Sequence, residues 1–330
     1  MGARLIRSAP AFWARPPGLL SALLRPAGAG WEAAGRLRQV LTRPYCATVP
    51  VVCVGNLVVG GAGKTPVTLA LAQGLGSHGI AVHIVTRGYG GSVGGPVRVD
   101  PAQHDVAAVG DEALLLAACA PCCVARDRAL GARAAVAAGA DLILLDDGFQ
   151  NHGIAKTLSL LVVDAGYGFG NGRVIPAGPL RESLARGLAR ADAVVLLGAE
   201  APGDELLGID TALPVLHATL RPVAGKRLAG MRLLAFAGIG RPEKFFATLR
   251  TLGAELVGTR PFPDHRPYRI AEIERLLGAA DRAQARLITT AKDIFRVPAA
   301  MRSAIEVLEV EIRWSDQDAL DELVGPVAGV

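Results

Sequence analysis

The sequence predicts an α/β protein built on a mostly parallel sheet covered on both faces, followed by a second, smaller α/β domain. Three observations carry this. From residue 50 onward, short apolar runs alternate with Ala-rich stretches of helical length, the pattern of βαβ units. The runs Val51-Val52-Cys53-Val54 and Leu142-Ile143-Leu144-Leu145 are apolar throughout, as burial on both faces of a parallel sheet requires. Near residues 199–230 the alternation breaks and a new strand–helix set begins at Leu233.

In chain order, Val51 to Val54 reads as a strand, then a glycine loop and a helix from about Thr65 to Leu75. Ile80 to Val85 is a second strand, Asp111 to Ala118 a helix, Cys122 to Val124 a strand and Arg126 to Ala138 a helix. Leu142 to Leu145 ends on two aspartates, and Leu158 to Val163 and Ala193 to Leu197 follow as strands. Val215 to Leu220 reads as an extended connector. The second set comprises strands at Leu233 to Phe236, Leu256-Val257 and Leu287 to Thr289, helices at Pro242 to Leu252 and Ile270 to Leu277, and a last alternating strand from Ile305 to Ile312. These readings divide the chain into an arm (1–45), a first domain (46–220) and a C-terminal domain (221–330).

The 330 residues are about half hydrophobic, one fifth charged and carry 40 Gly, a composition that excludes a disordered or fibrous chain. The longest uncharged stretch of note, Ala113 to Ala125, contains Pro121 and falls short of the roughly 18 apolar residues a membrane span needs. Charge is unevenly placed. Residues 1–50 hold seven Arg against Glu32, a net of +6 in a chain of +5 overall, so the remainder is close to neutral. The arm also carries Phe12, Trp13, Leu19, Leu20, Leu23, Leu24 and Trp31. Arginines interleaved with Trp and Leu suit a segment lying in a lipid interface; a basic helix packed on its own domain is the other reading. A signal peptide fits poorly because Arg25-Pro26 ends a short apolar stretch, and Ile6 stands where myristoylation needs Ser or Thr. A cytoplasmic chain with reduced cysteines is expected. Cys119, Cys122 and Cys123 invite a zinc or redox reading, but no second ligand pair lies nearby and a buried structural role is expected.

The strongest chemical signal is Val58-Val59-Gly60-Gly61-Ala62-Gly63-Lys64-Thr65 between a buried strand and a helix. Glycines let backbone N–H groups converge on phosphate oxygens, and the helix adds its positive end. Lys64 is placed for the β- and γ-phosphates of ATP and the Thr65 hydroxyl for Mg²⁺. Val58 occupies the position where a phosphate loop usually has Gly. Such a loop needs an acid on a neighbouring strand end, and Asp146-Asp147 after Leu142 to Leu145 supply it. Asp146 is read as a metal ligand or its support, and Asp147 as facing the γ-phosphate.

Further strings carry a resemblance. Gly55 to Pro66, Asp146-Asp147-Gly148-Phe149-Gln150-Asn151-His152, Gly168 to Gly172 and Pro176-Ala177-Gly178-Pro179-Leu180-Arg181-Glu182 resemble the lipid A 4′-kinase (tetraacyldisaccharide 4′-kinase) family. So do Thr86 to Gly90, Gly110-Asp111-Glu112, Phe236 to Pro242, Phe262-Pro263-Asp264-His265 and Lys292-Asp293. The resemblance implies a P-loop NTPase-type α/β/α sandwich joined to the second domain by a short β linker. It implies transfer of the ATP γ-phosphate to the 4′-hydroxyl of a tetraacylated disaccharide 1-phosphate, at the cytoplasmic face of the inner membrane, with residues 1–45 on the membrane surface. It makes Asp111 and His265 the pair that activates the hydroxyl, brought together by domain closure. Arg87, Tyr89, Asn171, Arg181 and Glu182 become candidates for binding the sugar or its 1-phosphate. Read alone, Asp111 is a helix cap and His265 a surface histidine. No nucleic acid or obligate protein partner is expected. The rival reading is a membrane-associated nucleotide switch, ATPase or GTPase, without a small-molecule acceptor. Against it, Val59 stands where the cell-division type has Lys, and Ala291-Lys292-Asp293-Ile294 is not a guanine-reading string.

Overall fold

The computed structural model describes residues 10–198, 212–223, 228–264 and 266–329. The chain forms two compact units, Met1–Thr86 with Asp127–Thr219 and Ile312–Val330, and Arg87–Arg126 with Leu220–Glu311. The early strands are β1 (Val51–Gly55) and β2 (Val82–Thr86), then β3 (Val97–Arg98) and β4 (Cys122–Val124) in the second unit. Back in the first unit come β5 (Leu142–Asp146), β6 (Leu158–Asp164) and β7 (Ala193–Leu197). The remainder are β8 (Val215–Pro222), β9 (Arg232–Ala237), β10 (Glu255–Pro261), β11 (Arg286–Thr290), β12 (Glu306–Leu308) and β13 (Val310–Trp314).

In the first unit the strand order is β8-β7-β6-β1-β5-β2, every pairing parallel. All five residues of β1, β5 and β7 are buried, and Asp146 at the end of β5 is the one charged residue among them. Because β1 and β5 are adjacent, in register Val54 to Asp146, the glycine loop after β1 and the acidic turn after β5 leave the sheet side by side. Ligands of open parallel sheets bind at such carboxyl ends.

The second unit has its own parallel sheet, β10-β9-β11-β12, and the antiparallel pair β3-β4. Strand β9 alternates sides. Leu233, Ala235 and Ala237 pack with Phe245, Phe246 and Leu249 of the helix Pro242–Thr251. Leu234 and Phe236 pack with Ile273, Leu276 and Ala280 of the helix Ile270–Arg282. Cys122 and Cys123 lie buried in β4, as the structural reading of the cysteine cluster expects.

Three sequence readings are revised. Residues 87–126, assigned above to the first domain, cluster with the second unit, and Ile312–Val330 return to the first. Strand–helix alternation is a local signal and does not say with which unit a segment packs most. Val215 to Leu220 is no loose connector but part of β8, in register with β7 through Val194 and Val215. The single strand read over 305–312 is two strands, β12 in the second unit's sheet and β13 beside β8. The alternation does break at Val307-Leu308, where β12 ends, and that break is the one local sign of the change of partner.

The arm packs on the first unit through Trp13, whose side chain is 1% exposed. Its indole N–H donates to Pro176 O at 3.1 Å, and Asn171 N–H donates to Trp13 O at 2.8 Å. Trp13→Ala removes a fully buried ring, so a loss of about 3–5 kcal/mol is expected. Chemical denaturation checks this; an unchanged midpoint means the ring is not held as described.

Candidate active site

In the first unit, the helix Lys64–Ser77 starts directly from the glycine loop, capped by Gly63. Gly63 has φ +87°, and a Cβ there would lie 2.1 Å from Leu197 Cδ2, so any other residue would be strained in its backbone and would have to push the Leu197 side chain aside. Val58, the departure from the usual loop, is buried and bridges Leu180 in antiparallel fashion. On either side of it Val59 N–H donates to Pro179 O at 2.9 Å and Arg181 N–H to Leu57 O at 2.7 Å. The Pro176 to Glu182 string is therefore the brace of the phosphate loop, and Val58 is a pairing residue where glycine would leave the bridge unpacked.

Lys64 Nζ lies 3.3 Å from Asn56 Oδ1 and 3.6 Å from Asp147 Oδ1. Arg181 grips the same carboxylate with both nitrogens, Nη1 to Oδ1 at 2.9 Å and Nη2 to Oδ2 at 3.3 Å. Asp147 has φ 51°, a left-handed conformation that aspartate tolerates better than most residues. Burial works against its ionisation, but the Lys64 and Arg181 cations overcome it and hold the carboxyl well below the usual range. Asp146 is buried one residue earlier, its Oδ1 accepting from Thr68 Oγ1 at 3.1 Å and its Oδ2 from Thr86 Oγ1 at 3.4 Å.

Gln150 ties the turn to the brace, accepting from Arg181 Nη1 at 3.0 Å and donating to Asn56 O at 2.9 Å and Glu182 Oε1 at 3.2 Å. Glu182 is buried and pairs with Arg190, whose guanidinium also lies over the Phe149 ring at 4.6 Å. Arg181 and Glu182 thus share Gln150, and each adds a partner of its own, Asp147 and Arg190. Asn171 is buried too, donating to Ala177 O at 2.9 Å and accepting from Arg173 N–H at 3.1 Å, so its amide braces its own loop. Burial first, then Arg190 and Lys156, push His152 down to about 4, which keeps it neutral beside these cations.

Thr65, Asp146 and Asp147 offer only oxygen donors, the set Mg²⁺ prefers. A magnesium ion held by one hydroxyl and one carboxylate, completed by phosphate and water, needs no dense ligand cluster; among the described residues no group of three or more His, Cys, Asp or Glu is placed to hold a metal. The two threonine bonds orient Asp146 as supporting groups orient metal ligands. Thr68→Val is accordingly expected to raise the Mg²⁺ concentration for half-maximal activity about 10-fold or more, read from a Mg²⁺ titration. An unchanged titration would leave Thr68 a packing residue.

The second unit holds Asp111, 2% exposed, as the first residue of the helix Asp111–Ala117. Gly110 before it has φ +87°, and a Cβ there would meet Tyr89 O at 2.4 Å. Asp111 is no helix cap; Gly110 holds that position. Asp111 Oδ1 accepts Glu112 N–H at 2.9 Å, and its Oδ2 accepts from Arg296 Nε at 2.6 Å. Lys292 Nζ lies 3.0 Å from Glu112 Oε1 and 3.9 Å from Asp111 Oδ2. Burial lowers the Lys292 pKa, but Glu112 and Asp111 outweigh it and leave it raised. Arg296, missed in the sequence, reaches Asp264 Oδ1 at 3.6 Å. His265 lies outside the described residues, but its neighbour Asp264 and Asp111 belong to one unit. Arg87 and Tyr89 follow β2 and are exposed.

The family model described as tetraacyldisaccharide-1-P 4′-kinase (LpxK) matches residues 20–327. The chain belongs to this family. It is 58% identical over 325 residues to the tetraacyldisaccharide 4′-kinase of Rhodospirillum centenum, covering 97% of this chain and 96% of that one. It is 52% identical to the enzyme of the same name from Dinoroseobacter shibae, covering 94% and 95%. Among solved structures, LpxK from Aquifex aeolicus in complex with ATP aligns at TM-score 0.74 and 25% identity, over 94% of this chain and 99% of that one. The fold is therefore that of LpxK, and the chain is a kinase.

Proposed function

We propose that the chain moves the γ-phosphate of ATP to the 4′-hydroxyl of a tetraacyldisaccharide 1-phosphate, with Lys64, Thr65, Asp146 and Asp147 holding MgATP and Asp111, with His265, serving the hydroxyl. Family membership supports the reaction; the observation that supports the division of roles is Lys64 held against Asp147 beside the glycine loop. The hydroxyl oxygen attacks the γ-phosphorus, the bond to the β,γ-bridging oxygen breaks, ADP leaves and the proton passes to Asp111. Phosphoryl transfer needs mainly alignment and charge neutralisation. Lys64 and Arg181 supply positive charge at the loop, and Mg²⁺, when bound, neutralises charge on the phosphate oxygens. Arg87, Tyr89 and Arg181 are proposed to meet the sugar or its 1-phosphate, Arg because its fork suits phosphate.

The test is transfer of label from ATP to the tetraacyldisaccharide 1-phosphate in detergent micelles. Labelled lipid is expected. ATP hydrolysis without labelled lipid would overturn the reading in favour of a nucleotide switch.

We further place the chain peripherally at the cytoplasmic face of the inner membrane. Among the described residues, no helix is long and apolar enough to cross a membrane. The helices Leu19–Leu23 and Arg25–Leu41 nonetheless leave Leu19 86%, Leu23 78% and Val40 82% exposed, beside basic Arg36 and Arg38. Apolar side chains flanked by arginines suit an anionic lipid interface. Leu19→Asp with Leu23→Asp is expected to release the protein from anionic vesicles in flotation while leaving its melting temperature unchanged. Retention on the vesicles would rule these helices out as the anchor.

A further inference from the structure

We propose that Arg296 is the positioning residue for Asp111, setting the direction from which its carboxylate meets the hydroxyl proton; this rests on the reading of Asp111 as proton acceptor. Arg296 follows β11 on a short 3-10 helix, Asp293–Arg296, and its side chain is fully buried. Its guanidinium spans three contacts in different directions. Nε–H donates to Asp111 Oδ2 at 2.6 Å, Nη1 to Gly238 O at 2.6 Å, and Nη2 lies 3.6 Å from Asp264 Oδ1. Nη1 is also 3.1 Å from Asp293 Oδ1. Three distant segments, around Asp111, Gly238 and Asp264, thus meet at one side chain three residues from Asp293.

The arrangement is more than a buried ion pair. Asp293 is itself fixed, accepting from Thr290 Oγ1 at 2.7 Å, Tyr268 Oη at 2.8 Å and Gly238 N–H at 3.1 Å. Burial and Asp293 raise the Tyr268 phenol far above its usual range, so it stays a donor. Asp293 is therefore a rigid second counter-ion that fixes the guanidinium, with Asp111 the first. The Nε–H bond so fixed orients Asp111, and with Glu112 N–H on the other oxygen the carboxylate is held at both ends. A lysine could neutralise one neighbour but could not span Asp111 and Gly238 O together, because it lacks the planar fork.

The experiment measures kcat and KM for Arg296→Lys, Arg296→Ala, Asp111→Asn and the Arg296→Ala/Asp111→Asn double variant, each normalised to folded protein by circular dichroism. Misplacing a catalytic group by an ångström costs on the order of 10²-fold. A fall of that size in kcat for Arg296→Ala is expected, with both KM values unchanged, a smaller fall for Arg296→Lys, and partial recovery of Arg296→Ala by added guanidinium. In the Asp111→Asn background the Arg296→Ala change is expected to cost nothing further, since residues acting as one unit are not additive. Wild-type kcat in the Arg296 variants, with Asp111→Asn inactive, would overturn the proposal and spare the proton-acceptor reading. Losses that multiply in the double variant would also overturn it. An active Asp111→Asn enzyme would overturn both. Where Arg296→Ala does not fold, Arg296→Lys carries the test through its kcat-against-KM split.

Discussion

Lys64→Ala is expected to lower kcat/KM on the order of 10³-fold, the scale of removing one preorganised donor from a developing charge. Lys64 emerges from the first turn of a helix whose start is fixed by Gly63, and its ammonium is aimed by Asn56 and Asp147. Its removal leaves Asp147 gripped by Arg181 alone, so the turn keeps its shape while the phosphates lose their cation. The loss should therefore fall on ATP binding and turnover together, without a matching drop in melting temperature. Lys64→Arg is not expected to restore activity, because a fork aimed at Asp147 would compete with Arg181 for the same oxygens. Label transfer together with ATP titration decides it. A Lys64→Ala enzyme within tenfold of wild type would remove the loop from the chemistry.

Asp111→Asn is expected to reduce kcat by about 10²–10⁴-fold, the span of general acid–base catalysis, with ATP affinity unchanged. The amide is close to isosteric, and its one carbonyl oxygen can keep the Glu112 N–H bond, so the helix start should hold, while its NH₂ then faces Arg296 Nε and that bond is lost. Removing the charge does leave Arg296 and Lys292 short of a counter-charge. Breaking a buried pair outright costs about 3–5 kcal/mol, and Asp293 beside Arg296 and Glu112 beside Lys292 should keep the cost below that. Urea denaturation separates the two effects: a large kcat loss at near-native stability assigns chemistry to Asp111, whereas parallel losses would make it structural.

Much of this was legible in the chain itself. Strands β4 and β7 fall on the residues read from hydrophobic runs, and the loop from Val58 to Thr65 stands where strand and helix flank it. What the pattern could not carry is partnership. Val58 departs from the usual phosphate loop, and the residue that explains it, Leu180, lies 122 residues further along the chain. Arg296 had no local mark because, beyond its neighbour Asp293, its meaning comes from Asp111 and Asp264, far away in the chain. Within residues 87–126 the helix at Asp111 and the strand at Cys122 were read while β3 and the helix Val106–Val109 were not, and the whole segment clusters with a different unit than its neighbours in sequence. Periodicity reports how a segment is buried, and it is blind to what buries it.

The contacts of Arg181 have an optical consequence. Its carbonyl accepts the Trp31 indole N–H at 3.0 Å, its own N–H is bonded beside the glycine loop, and its side chain holds Asp147. Trp31 is half exposed on the arm, and Trp13 and Trp314 complete the indoles of the chain. A shift of the Arg181 backbone when phosphate draws Asp147 or Lys64 away would alter the hydrogen bond of a fluorophore that also faces solvent. The protein thus carries its own emission probe, able to follow nucleotide loading at the loop and the surroundings of the arm in one spectrum.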